Sequence, residues 1–132
     1  MKLTNPTDAQ LNEAFAVHVA GWTWNEFKPS GFGPVIQGYW NGADGYYVCN
    51  KANFVNSADA VLPWLEKKQV WEAIFNNNPY TGSVGTSVLV ADSFTEDLKE
   101  PSGRSGWVSA KTFAKAAVIA LLRAHGVEIE FT

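Results

Sequence analysis

Ser105–Gly126, SGWVSAKTFAKAAVIALLRAHG, is the stretch from which the rest of the chain is best read. It reads as a short strand, Trp107 to Ala110, followed by a capped helix from about Thr112 to His125. Phe113, Ala116, Ala117, Ala120, Leu121 and Ala124 recur at helical spacing, and Val118, Ile119 and Leu122 widen the apolar stripe. A helix this apolar has to lie against something broad, such as a sheet. Thr112 is the expected N-cap and Gly126 the expected left-handed stop. Arg104, Trp107 and Lys111 gather just ahead of the helix. They set two cations and an aromatic ring beside an N-terminus whose free amides attract anions.

Upstream, Asn5-Pro6-Thr7-Asp8 predicts a helix start, with Asn5 as cap and Pro6 at the first helical position. Leu11, Ala14, Phe15, His18 and Val19 then share one face, and Gly21 ends the helix. Trp22-Thr23-Trp24 is an extended exit or a strand. Lys28 to Gly45 holds five Gly and two Pro and reads as loop with one short strand. Asn41–Gly45 is a turn leading into a strand at Tyr46–Asn50. Ser57 caps a second helix with Ala58, Val61, Leu62 and Leu65 inward, Pro63 kinking or shortening it, and Lys67-Lys68 complementing its dipole.

Gln69–Phe75 alternates, Val70, Glu72 and Ile74 facing one way and Trp71, Ala73 and Phe75 the other. A turn-rich Asn76–Gly85 leads to a strand at Thr86–Ala91, and a polar loop, Asp92–Gly106, precedes the Trp107 strand. Val127–Phe131 alternates once more. Strands joined by turns predict a mainly antiparallel sheet. With N-terminal, central and C-terminal helices, the expectation is an α+β fold, a two-layer or three-layer sandwich, in a single domain spanning 1–132.

Composition bounds the function. The 132 residues carry 46% hydrophobic and 17% charged side chains and a formal net charge of −3, ordinary for a folded domain. That charge gives no global attraction to duplex nucleic acid or to an anionic membrane. The longest apolar run, Ala116–Leu122, is too short to span a bilayer. Cys49 is the only cysteine, so no internal disulfide forms, and with a polar Met1–Asp8 the expectation is a reducing, cytoplasmic setting. Most of the eighteen aromatic residues (six Trp, eight Phe, four Tyr) must be core or packing under loops, and a surplus is also what stacking pockets and oligomer interfaces need.

No catalytic set emerges. Gly31, Gly33 and Gly38 do not form a dinucleotide fingerprint, because Pro34 follows and no helix begins there. His18 reads as a core histidine, His125 as a helix C-terminal charge, and Cys49 as a small buried hydrophobe; together they lack metal-ligand spacing. Glu96, Asp97 and Glu100 sit in a polar loop without the apolar surroundings that shift a carboxyl pKa. Trp22, Trp24, Tyr39 and Trp40 line a cleft or an oligomer interface, or are buried against the helices. Ser102-Gly103-Arg104-Ser105-Gly106 has the small, glycine-punctuated character of an amide nest, with Arg104 to grip a phosphate and Trp107 to stack. The alternative is a solvated hairpin loop. Phe75, at a strand end, either stacks a base or takes a core or edge position.

Three segments, Leu11–Trp24, Asn56–Lys67 and Ser105–Leu122, resemble the phage ABA sandwich domain family. The resemblance implies a helix–sheet–helix sandwich. It also suggests likeness to the first type of Thoeris anti-defence protein, which sequesters cyclic ADP-ribose-type or cyclic oligonucleotide immune signals without cleaving them. Arg104 is the position it carries over. The functional expectation is therefore a non-enzymatic, phage-encoded sponge in the host cytoplasm. It would bind a small nucleotide signal through Trp22, Phe75, Arg104, Trp107 and Lys111, need no cofactor or metal, and work as a homo-oligomer. The alternative is a protein–protein interaction module.

Overall fold

A computed structural model describes residues 2–27, 37–68, 70–78, 83–91, 105 and 107–132. The order is β1 (Lys2–Thr4), α1 (Asp8–His18), β2 (Thr23–Phe27), β3 (Gln37–Asn41), β4 (Tyr47–Cys49), α2 (Ala58–Glu66), β5 (Val70–Asn78), β6 (Ser83–Ala91), β7 (Val108–Ala110), α3 (Phe113–Ala124) and β8 (Glu128–Glu130). The fold is α+β, with antiparallel sheets packed against helices. Among the described residues the strands divide among three sheets: β2-β3-β4 and β5-β6-β7, both antiparallel, and a parallel pair β1-β8. Among the described residues no helix is long and apolar enough to cross a membrane.

α3 is the centre of the molecule. Nine of its twelve residues are buried, and they point in every direction around the axis, so one flat surface does not suffice. β6 and β7 pack against it, and so do α1 and α2. The helix begins where its sequence predicts: the Lys115 amide donates to Thr112 Oγ1 at 3.3 Å. It ends at Gly126, whose φ of +88° suits glycine, and the Val127 amide closes back onto the Leu122 carbonyl.

The first helix corrects its expected cap. Thr7, not Asn5, caps α1: the Gln10 amide donates to Thr7 Oγ1 and the Thr7 amide to Gln10 Oε1. Asn5 is engaged elsewhere, at φ +47°, with its amide on the Glu130 carbonyl and its side chain joined to Thr132. Pro6 therefore precedes the cap. The buried face also turns away from His18, which is exposed, toward Asn12 and Ala16. Asn12 is inside because its Oδ1 accepts the Phe54 and Val55 amides at 2.6 and 3.0 Å.

α2 keeps Ser57 as its cap and buries Val61 and Leu65, while Ala58 is exposed. It ends three residues beyond Pro63 at Glu66, and Lys67 settles over the Trp64 ring at 4.0 Å. β5 and β6 are longer than expected. Asn76–Asn78 and Ser83–Gly85 continue the ladder rather than forming a turn, with register unbroken from Val70↔Ala91 to Asn78↔Ser83. Ser105 is tied to the far end of β6 through its amide on the Val90 carbonyl and the Val90 amide on its Oγ.

Candidate functional site

The start of α3 is positively charged by construction. Its first turn, Phe113-Ala114-Lys115-Ala116, holds no acid, and Lys111 stands just ahead of it. Helix N-termini ordinarily attract carboxylates and disfavour cations. Two lysines four residues apart there oppose that preference, and the Asp8 carboxylate beside Lys115 offsets only one of the two charges. Thr112 satisfies the Lys115 amide, and the Phe113 and Ala114 amides, as in any first turn, have no carbonyl within the helix to bond.

This helix start opens on a hollow of about 480 Å³, within the size range of small-molecule sites. Asp8, Asn56, Ser109, Lys111, Lys115 and Phe131 are among the residues that line it. Lys115 Nζ lies 3.0 Å from Asp8 Oδ1, so one of the two ammonium groups has a carboxylate partner and the hollow keeps a net positive charge. Phe131, half exposed at the end of β8, presents an aromatic ring to the same space. The Asn56 carboxamide and the Ser109 hydroxyl add hydrogen-bonding groups to its wall.

Of the four anticipated site residues that the structure describes, Trp22, Phe75, Trp107 and Lys111, only Lys111 lines this hollow. Arg104 lies outside the described residues, as do Ser102, Gly103, Gly106 and the acidic Glu96, Asp97 and Glu100. Phe75 stands at the same end of its sheet as Lys111, because Phe75 pairs with Thr86 and Thr86 with Ala110. Its ring is 71% exposed and 5.8 Å from that of Phe113. Trp107, 49% exposed, precedes the inward-facing Val108 and so lies on the opposite face of the sheet. Trp22 is packed between Phe54 (5.0 Å) and Trp40 (6.4 Å), away from α3's start.

Lys115, Asn56, Ser109 and Phe131 are the lining residues that sequence reasoning passed over. One signal was available, a lysine just ahead of the cap and another in a first turn that holds no acid. Asn56 and Phe131 had none, since they arrive from distant segments.

A second cleft, of about 390 Å³, lies between α1 and the β2–β3 hairpin, lined by Glu13, Trp24, Glu26, Trp40 and Lys51 among others. Trp24 is partly exposed there, while Trp40 belongs to the core. Two carboxylates against one ammonium give it the wrong sign for a phosphate. Cys49 is partly buried and its thiol pKa is raised by desolvation, a hydrogen bond with the Lys51 backbone opposing the shift. Among the described residues no group of three or more His, Cys, Asp and Glu is placed to hold a metal ion. No family model, curated protein or solved structure matches the chain.

Proposed function

We propose that the protein binds a small phosphorylated ligand of the nucleotide class in the hollow at the start of α3, and sequesters it without chemical conversion. The observation that carries this is the pair Lys111 and Lys115 at the start of α3, opening on that hollow with one carboxylate, Asp8, against two ammonium groups. The two ammonium groups and the helix amides would take the phosphate, Phe131 would stack the base, and Asn56 would read its edge. The resemblance to the phage ABA sandwich family narrows the ligand to a cyclic nucleotide or cyclic ADP-ribose-type signal in the host cytoplasm.

Calorimetry with a panel of cyclic nucleotides and cyclic ADP-ribose isomers tests the reading. Binding is expected for at least one member, weakened about tenfold by Lys111→Ala, the scale of one charge-assisted hydrogen bond. Flat heats across the panel remove it. Heating the purified protein and identifying any released small molecule by mass covers ligands outside the panel.

A protein–protein interaction module is the second reading, favoured by the exposed run Tyr46, Tyr47 and Val48 at the edge of the β2-β3-β4 sheet. Tyr46 is 75% exposed, a large apolar area for a folded domain to leave in water. Trp40, 5% exposed, cannot be the contact residue. A pull-down partner lost on Tyr46→Ser, with no nucleotide heat, would select this reading.

A further inference from the structure

β5 is nine residues long, and among the described residues it is an edge strand, paired on one side only, by β6. Exposed edges are ordinarily blunted by lysine, proline, a bulge or shortness. β5, VWEAIFNNN, has none of these: its single charge is Glu72, and its ladder with β6 shows no register shift. Its exposed apolar residues, Ile74 (56%) and Phe75, sit side by side at the middle of the strand.

We propose that β5 pairs antiparallel with β5 of a second copy of this chain about a two-fold axis through Ile74, joining the two sheets into one of six strands. Pleat parity restricts the choice. A two-fold perpendicular to the sheet keeps inner residues opposite inner ones, so the axis must pass through a residue position. Ile74 is the position midway between Val70 and Asn78, and it alone pairs the full strand.

In that register Ile74 faces Ile74 of the second copy, and Glu72 faces position 76, so no like charges meet. Phe75 faces Ala73 of the second copy on the inner side, setting a large exposed ring over a small, partly exposed residue. This large-to-small match is what favours a second copy over an unrelated strand. Phe75 is thereby an interface residue rather than a base-stacking one. The inference stands apart from the ligand reading, since it uses no residue of the hollow.

Sedimentation of the full chain is expected to show a dimer, and a monomer at every concentration overturns the proposal. Ile74→Cys in a Cys49→Ser background gives the decisive measurement. Directly opposed residues in an antiparallel pair have Cα atoms about 4.5–5.5 Å apart, within disulfide reach. Mild oxidation should therefore yield a covalent dimer from Ile74→Cys, and much less from Glu72→Cys, which faces position 76. Equal cross-linking, or none at position 74, overturns the proposal even if the chain dimerises through another surface. Ile74→Lys, an exposed change that sets two ammonium groups on the axis, should give a folded monomer by circular dichroism and sedimentation; a persisting dimer counts against it.

Discussion

Lys115 reaches back from the start of α3 to Asp8 at the start of α1, Nζ to Oδ1 3.0 Å. Two helix N-termini thus meet across the hollow, and a carboxylate from one partly neutralises the cation of the other. A bound phosphate competes with Asp8 for that cation.

Removing the competitor should therefore strengthen anion binding. Asp8→Asn is expected to raise the affinity for a phosphorylated ligand two- to fivefold, since a half-exposed ion pair of this kind is worth up to about 1 kcal/mol. Titration calorimetry at fixed ionic strength checks the sign. A loss of affinity would mean that Asp8 positions Lys115 rather than competing for it.

Asn12 holds α1 to the segment ahead of α2 through the Phe54 and Val55 amides. Asn12→Ala leaves both buried donors without an acceptor, at a cost of about 2–6 kcal/mol from the penalty for each. Urea denaturation should show the midpoint falling by a corresponding amount. Asn12→Asp keeps an acceptor oxygen in place and should recover part of the loss.

Gly38 lies beneath the Trp24 indole, diagonal to it across the hairpin, where a side chain would strike the ring and come within 2.6 Å of the Asn25 carbonyl oxygen. Gly38→Ala is expected to destabilise by about 1–3 kcal/mol, the range for overpacked sites. It should also change the tryptophan fluorescence, because Trp24 is displaced from Trp40, 5.1 Å away, and from its bond to Glu26.

Burial raises the Cys49 thiol pKa above its ordinary value, so the folded state resists thiolate formation. The sign follows: stability is unaffected below the pKa of the unfolded thiol and falls as pH rises past it, because only the unfolded chain ionises freely there. Alkylation by iodoacetamide at mildly alkaline pH should be slower in the native protein than in urea. Equal rates would show that Cys49 is not shielded.

What could be read from residues alone was local. Ser57, Thr112, Gly21 and Gly126 mark helix ends by hydrogen bonds and backbone angles that span a few residues, and the α3 stripe and β5 alternation are periodicities within one element. Asn5 shows the boundary of that reading. Its local chemistry suits a cap, yet the C-terminal residues Glu130 and Thr132 take its hydrogen bonds and hand the cap to Thr7. β1 was invisible for the same reason: three residues with one apolar side chain carry no pattern, and the partner of Leu3 is Ile129.

By itself the sequence determined the class, three capped helices with turn-linked strands, because propensity, capping and period act between near neighbours. Tertiary structure decided the rest: strands divided among three sheets, a helix wrapped on every side, and Asn56, Ser109, Lys111, Lys115 and Phe131 brought to one hollow. Such a site is a meeting of distant segments, held by long-range packing against α3, and no local preference of any one segment encodes it.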